Sequence, residues 1–380
     1  MAVNGSGVGI AARFDRARER LSSLGPRAEA TFLAAACVIL AGAFILPLVL
    51  PGRTLSFIYA NDIMIFFDGA HRVLSGQLPN RDFHTPLGLL AYLLPALGLW
   101  LGGSLGGMMP LATAAMTLIF LPMLIYICAS RLPLAHGLIF AFFALALVIT
   151  PANIGETLPS FAMFYNRWGY ALLAVLFLLA LPPLRGKPRP WSDAILAAAV
   201  LLTTFYLKIS YFGVAIGFTF VLLLYRDRRL LAIKALILAA AGIALIHLMW
   251  WGTASYFSDI ATAARVNGAV RASALGLFRM AIENAAMILP FLMVMGLAFR
   301  RGIASEALVL SIFMAVAGLA LFNQNFQGPG IMTLVPAAIV LAVALSWPRE
   351  GKEESKTPSA FAALLLVAVL ALPPAILSAE

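Results

Sequence analysis

The sequence predicts an all-α fold: a polytopic integral membrane protein with about 11 transmembrane helices and juxtamembrane helices in the first external loop. Of its 380 residues, 62% are apolar and only 11% are charged, whereas a soluble domain carries roughly 25% charge. Apolar runs long enough to span a bilayer core of about 30 Å recur from Thr31 onward. The net charge of +10 comes from short basic clusters at the ends of these runs, which is typical of membrane orientation and predicts no nucleic-acid partner.

The first crossing follows a basic stretch from Arg13 to Arg27 and lacks an Ala-x-Ala cleavage pattern. This predicts a cytoplasmic segment over 1–29 and an uncleaved anchor. Residues 30–377 then form a single transmembrane domain without a separate soluble domain. The predicted crossings are residues 30–50, 108–130, 134–152, 168–184, 192–207, 211–225, 230–251, 284–299, 303–322, 329–347 and 358–377.

The segment 87–103 decides the orientation of everything that follows it. If this segment crossed the membrane, the later basic clusters would lie outside, against the rule that basic loops are cytoplasmic. If it lies along or dips into the outer interface, all of these clusters are on the cytoplasmic side. We adopt the second arrangement, which predicts external loops over 51–107, 153–167 and 252–283. The clusters that fix this choice are Arg131, Arg185-Lys187-Arg189, Arg226-Arg228-Arg229, Arg300-Arg301 and the tail from Arg349 to Lys356.

The run from Asp193 to Tyr225 has basic residues at both ends. As one straight helix it would be about 50 Å long, well over a bilayer core. It is therefore predicted to cross twice and to turn near Lys208, with the turn recessed near the outer headgroups.

The first external loop begins with an amphipathic helix that is predicted to lie on the membrane surface. Gly76 and Pro79 end this helix, and Pro86 starts the next apolar segment. Its apolar face consists of Ile63, Phe66, Phe67, Ala70 and Leu74, and its polar face of Asp68, His71 and Arg72.

Carboxylates and a histidine in this loop are the first candidates for chemistry. Asp62 could take a proton from an acceptor hydroxyl as a general base, or it could simply be an N-cap. Asp82 could bind sugar hydroxyls or a metal, or fix a turn. His84 could shuttle a proton or contact a phosphate, or be merely solvated. Asp68 and Arg72 have the spacing of an ordinary surface ion pair.

Later polar residues suit a lipid phosphate or a sugar. A recessed Lys208 is costly at membrane depth and fits a phosphate, although it could also snorkel to the interface. Arg167, next to Asn166, could clamp a phosphate through its fork or anchor the interface. Gln324 belongs to the amide-rich segment 323–329, which suits sugar hydroxyls, although turns favour Asn and Gly for backbone reasons.

Several signatures of soluble-cofactor chemistry are absent from the sequence. There is no Gly-rich phosphate loop, His-Glu-x-x-His, Cys-x-x-Cys or nucleophile elbow. Cys37 and Cys128 each lie inside an apolar run, which predicts packing rather than a disulfide or a metal site. No cofactor is therefore predicted, and a divalent metal remains an open alternative.

An acidic residue opens the first external loop, and the loop continues with Gly76-Gln77-Leu78-Pro79-Asn80-Arg81-Asp82-Phe83 and Thr85-Pro86-Leu87-Gly88. This layout resembles the GT-C superfamily of membrane glycosyltransferases, closest to its bacterial Rgt-like and mannosyltransferase-like branch. The segment 202–210, with its lysine, is similar to a lysine-bearing hairpin in some of these enzymes. Many relatives have two adjacent acidic residues where this chain has Asn61-Asp62, and an aspartate in the second loop, where this chain offers Glu156.

The resemblance implies transfer of a sugar from a polyprenyl-phosphate donor to a lipid or glycan acceptor at the external face of a bacterial inner membrane. It implies that Asp62 is the general base and that Lys208 and Arg167 stabilise the departing lipid phosphate. Asp82 and His84 would shape the acceptor or metal site. Two other functions stay open: a transporter or flippase for a lipid-linked sugar, and a glycan polymerase or ligase that uses the arginines of loop 252–283.

Overall fold

The computed structural model describes residues 25–54, 59–150, 160–185, 189–266, 274–303, 305–324, 330–346 and 358–377. These residues form α-helices, one 3-10 turn and connecting loops, with no β-strand among them, so the all-α prediction is confirmed. The helices are α1 (Pro26–Val49), α2 (Ala60–Leu74), α3 (Leu90–Gly102), α4 (Leu105–Arg131), α5 (Leu134–Ile149), α6 (Phe164–Phe177), α7 (Pro190–Leu207), α8 (Ile209–Leu222), α9 (Arg226–Trp250), α10 (Thr253–Val266), α11 (Ala274–Glu283), α12 (Ala285–Arg300), α13 (Ser305–Gln324), α14 (Leu334–Leu345) and α15 (Pro358–Leu377).

Five helices are long and apolar enough to cross a membrane: α1, α4, α7, α9 and α13. Shorter apolar helices lie between them in the chain. A chain with this many apolar helices is a membrane protein. Exposed apolar side chains along these helices, such as Ile39, Leu118, Ile237 and Leu248, are those expected of a surface in contact with lipid.

Contacts between α6, α7, α8 and α9 show that the chain reverses at Lys208. Tyr170 meets Tyr211 at 5.2 Å and Phe177 meets Phe218 at 4.8 Å between ring centroids, so α6 and α8 run in the same direction. Helices α7 and α9 also run together, because Lys234 lies over the Trp191 ring at the start of α7 and Trp250 contacts Tyr206 at its end. Arg228 of α9 binds the carbonyl groups at the end of α6, so the two pairs are antiparallel. The predicted break in the run from Asp193 to Tyr225 is confirmed.

The bundle has two chemically different ends, which we call the arginine end and the Lys208 end. At the arginine end, Arg131 forms a buried ion pair with Asp193 at 2.6 Å. Arg185 pairs with Glu29 at 2.7 Å at the same end. Arg228 donates to the carbonyl oxygens of 179–181 and so neutralises the end of α6. The basic residues of separate loops therefore gather at one end, as the orientation rule predicts.

Helix α3 begins and ends at the Lys208 end. The Gly88 amide before it donates to the Leu207 carbonyl, and the Gly106 carbonyl after it accepts from Thr54. Both ends of α3 therefore lie at the same end of the bundle, as expected of a segment that does not cross; that it does not cross a membrane stays a prediction. Gly98 permits the tight contact between α3 and α4, because an added Cβ would collide with the carbonyl oxygen of Met108.

Helix α2 is amphipathic as predicted, but the prediction for Leu74 at its end is wrong. Ile63, Phe66 and Ala70 are buried against the bundle. Leu74 was predicted to lie on this apolar face but is 47% exposed, because in the last turn Val73 packs against the core instead. Gly69 lets α2 approach α3, since a Cβ there would enter the Tyr92 ring.

Candidate active site

The Lys208 end holds all four described non-glycine residues that adopt positive φ angles. They are Tyr59, Asn80, Met163 and Trp251, with φ between 53° and 59°. Asparagine tolerates this conformation, whereas the three larger residues are strained by about 1–3 kcal/mol each. Tyr59 immediately precedes α2 and Met163 immediately precedes α6, so backbone strain concentrates at the two helix starts that carry the candidate residues.

Asp62 lies in the first turn of α2 and is only partly exposed. The interpretation of Asp62 as the N-cap is wrong, because Tyr59 occupies that position and no side chain caps the helix. Burial raises the pKa of the Asp62 carboxyl above its usual range. A carboxylate with a raised pKa is a stronger base at neutral pH, which is the property a general base requires.

Phe66, one turn after Asp62, fixes α2 against α6. Its ring lies 4.7 Å from that of Phe164 and 5.8 Å from that of Tyr165. It also contacts Tyr92 of α3 at 5.6 Å. Rigid aromatic contacts on both sides therefore set the position of the Asp62 carboxylate.

Lys208 is held against the first turn of α6. Its Nζ donates to Oδ1 of Asn166 at 2.9 Å and lies 4.9 Å from the centre of the Tyr165 ring. Burial lowers the pKa of Lys208 to about 7. Burial also raises the pKa of Tyr165, with a further contribution from the negative charge of Asp62. Tyr165 thus lies near both the acidic and the basic candidate, and the group of Asp62, Tyr165, Asn166 and Lys208 is called the Asp62 cluster below.

Arg167 follows in the same helix but is deeper, with only 3% of its surface exposed. Its Nη2 donates to the Ser160 carbonyl at 3.4 Å, and burial lowers its pKa to about 10. A guanidinium this buried does not have the exposure of an interfacial anchor. It adds positive charge beneath Asn166 and Lys208.

Asp82 fixes a turn. Its carboxylate accepts from the Leu78 amide at 2.7 Å and pairs with Arg81 at 2.8 Å. The Arg81 hydrogen bond and then the Leu78 amide lower the pKa of Asp82. Among the described residues no group of three or more His, Cys, Asp and Glu side chains has a geometry that could hold a metal ion.

His84 belongs to a second polar cluster, which we call the Asp259 cluster. Nδ1 of His84 lies 2.7 Å from Oδ1 of Asp259 in α10. The other carboxylate oxygen accepts from Nδ2 of Asn80 at 3.0 Å and from the Thr85 amide at 3.1 Å. The sequence did not pair these residues, because 175 positions separate His84 from Asp259.

Gln324 is the last residue of α13. Helix α13 starts at the arginine end, where Glu306 pairs with Arg228 at 3.6 Å, so Gln324 at its other end lies at the Lys208 end. Asn323, also of the amide-rich segment, precedes it in α13, whereas residues 325–329 lie outside the described residues, as do Glu156 of the second loop and Arg271.

Two apolar cavities open at the Lys208 end. The smaller, of about 280 Å³, lies beside Asp62, where Ile63, Met64 and Phe161 contribute to its walls. The larger, of about 440 Å³, is a groove between α3, α7 and α9, and we call it the Trp250 groove. Its lining residues are Leu78, Leu89, Leu90, Leu93, Leu202, Thr203, Tyr206, Ile246, Met249 and Trp250.

Comparison with known proteins finds no family model, no curated protein and no solved structure that matches the chain.

Proposed function

We propose that this chain is a GT-C-type glycosyltransferase that crosses a bacterial inner membrane about 11 times and acts at the external face. The single observation that carries this proposal is the Asp62 cluster. It combines a carboxyl of raised pKa with a buried ammonium, at the end of the bundle opposite the basic loops. The positive-inside rule makes the arginine end cytoplasmic, so the Asp62 cluster would face outward.

The donor would be a polyprenyl-phosphate sugar, and the acceptor a lipid or glycan of the envelope. Asp62 would remove the proton of an acceptor hydroxyl while its oxygen attacks the anomeric carbon of the sugar. The bond between that carbon and the phosphate oxygen breaks, and its electron pair leaves with the polyprenyl phosphate. Lys208 would stabilise this departing charge, with Arg167 adding to the local positive potential.

Asp82, His84, Asn166 and Gln324 are proposed to contribute to substrate binding. Asn166 has the clearest support, because it orients the Lys208 ammonium through a direct hydrogen bond. Asp82 would act through the turn it stabilises, and Gln324 through its position at the Lys208 end.

The test compares Asp62→Asn with a matched control, Asp68→Asn. Both replacements are nearly isosteric and lie in α2, but Asp68 is exposed and forms a surface ion pair with Arg72. Wild type and both variants would be purified in detergent, and release of sugar would be measured from a panel of polyprenyl-phosphate sugars, with and without divalent metal and envelope acceptors. We expect loss of roughly 10²- to 10⁴-fold in turnover for Asp62→Asn only.

Equal turnover in wild type and Asp62→Asn would refute the assigned base. Binding of the lipid-linked sugars without any cleavage by wild type would instead favour a transporter or flippase. A larger loss on replacing Arg265 in α10 than on replacing Asp62 would favour a polymerase or ligase.

A further inference from the structure

The Asp259 cluster has an unusual distribution of exposure. The His84 side chain is 91% exposed, whereas that of its partner Asp259 is 8% exposed. The buried carboxylate accepts three donors from one short loop, namely the His84 ring, the Asn80 amide group and the Thr85 backbone amide. A buried acid therefore orients an imidazole whose remaining surface is open to a ligand.

The same loop forms the rim of the Trp250 groove. Leu78 and Leu89, which flank the loop on either side, both line the groove. Trp250, at the groove wall, donates from Nε1 to the Pro79 carbonyl at 2.8 Å. A molecule with an apolar chain in the groove would thus have its polar head near the loop that carries His84.

The groove is accessible from the lipid-facing side of α9. Met249 lines it and is 77% exposed. Leu245 and Leu248, next to it on α9, are also exposed apolar residues, which a membrane helix turns toward lipid. A lipid chain can therefore enter laterally, without passing through water.

We propose that the Trp250 groove and His84 form a binding site for an anionic phospholipid, with one acyl chain in the groove and the phosphodiester at His84. Because Nδ1 of His84 faces a carboxylate, it carries a proton, and protonation of the ring adds an N–H donor at Nε2. A protonated ring bound to a phosphate makes a charge-assisted hydrogen bond.

This site is separate from the Asp62 cluster. Leu90 and Leu93 of α3 face the groove, whereas Tyr92 of the same helix packs on Phe66 of α2. Helix α3 therefore lies between the two sites. The inference requires only that the chain lies in a membrane; if the proposed transferase activity is correct, the occupant would be the lipid anchor of the acceptor.

The other charged groups around His84 have partners of their own. In its own loop, Arg81 and Asp82 neutralise each other. On α2, Arg72 lies over the Phe83 ring and is paired with Asp68. On α10 the facing group is Asp259, and His247 at the end of α9 bonds to Thr253 instead.

The experiment measures binding of dihexanoyl phosphatidylglycerol and, for comparison, zwitterionic dihexanoyl phosphatidylcholine to the full chain in uncharged detergent by calorimetry. We expect wild type to prefer phosphatidylglycerol by roughly tenfold, because the net negative charge of its headgroup strengthens the hydrogen bond from the His84 ring. Inorganic phosphate, which lacks a chain, should not displace the lipid.

Four variants test recognition of the lipid headgroup separately from recognition of the acyl chain. His84→Ala should remove the preference, and His84→Arg should keep it because arginine is a charged hydrogen-bond donor to phosphate. His71→Ala is the matched control, since His71 is an exposed histidine of α2 outside the cluster, and should behave as wild type. Leu93→Trp fills the groove and should weaken binding of both lipids.

Equal affinity of wild type for the two lipids, or a preference that survives His84→Ala, would overturn the proposal. Thermal unfolding of each variant distinguishes a lost site from a lost fold. Sugar transfer that depends on Asp62 is measured separately, so failure of the lipid site and failure of the proposed transferase are distinguishable.

Discussion

Replacement of Lys208 tests the electrostatics of the Asp62 cluster most directly. The Lys208 ammonium donates to Asn166 and lies over the Tyr165 ring, in a position where burial lowers its pKa to about 7. A hydrogen bond to a charged group contributes about 1.5–3 kcal/mol. Because 1.4 kcal/mol corresponds to roughly tenfold, Lys208→Met should lower kcat/KM of sugar transfer by about 10- to 150-fold.

The pKa of Lys208 determines in which direction the rate of sugar transfer changes with pH. A lysine whose pKa is about 7 is charged below that pH and neutral above it, so its stabilisation of the phosphate is present at low pH and lost as the pH rises. The raised pKa of Asp62 sets the opposite, acidic limb, because the base must be deprotonated. We therefore expect kcat/KM to be bell-shaped. A bound phosphate should move the alkaline limb of kcat to higher pH, since an opposite charge favours the charged lysine.

The assay is initial-rate transfer from a polyprenyl-phosphate sugar between about pH 5 and 9, a range that brackets the expected alkaline limb. Lys208→Arg keeps a permanent charge and should abolish the alkaline limb. An unchanged alkaline limb in Lys208→Arg, or a loss smaller than about threefold in Lys208→Met, would refute this role. Lys208→Met also removes the unfavourable burial of a charge, so its unfolding midpoint near pH 7 should be equal to or above that of wild type.

The remaining predictions concern the fold. Arg131→Met leaves the Asp193 carboxylate buried without its ion-pair partner and should lower the free energy of unfolding, measured by denaturant titration, by about 3–5 kcal/mol. The double variant that combines Arg131→Met with Asp193→Leu should lose less stability, and an equally large loss in it would contradict this explanation. Gly98→Val should lower the unfolding midpoint because the added carbons collide with the backbone of α4. Cysteines introduced at Ser75 and Leu105, before and after α3, should react with an impermeant thiol reagent from the same side, since both native cysteines are buried; labelling from opposite sides would show that α3 crosses.

Much of the fold follows from local physics. The apolar runs are helical because a chain in lipid must satisfy its own backbone hydrogen bonds. A turn near 208–211 was predicted because one helix over the run from Asp193 to Tyr225 would exceed the bilayer and because both ends of the run are basic; the structure breaks the helix at Lys208. The segment 87–103 was correctly kept at one end of the bundle, because basic residues far along the chain constrained its orientation.

The errors have equally physical causes. The sequence pattern offered Asp62 as the N-cap of α2, but the helix begins earlier, because Tyr59 adopts a left-handed conformation in front of it. Leu74 has the spacing of a buried residue, yet it is 47% exposed, whereas Val73 beside it packs against the core. Helical periodicity identifies a face of the helix, but only the packing of other elements decides how much of that face is covered.

The sequence by itself determined that the chain is a helical membrane protein, that the basic clusters containing Arg131, Arg185 and Arg228 share one end and that Asp62, His84 and Lys208 belong to the other. These properties follow from composition, from run length and from the orientation rule, all of which are readable along the chain. Only the tertiary structure decided the partners: Asn166 for Lys208 and Asp259 for His84. Such pairs join residues far apart in sequence, and they are set by how helices pack, which no local pattern contains.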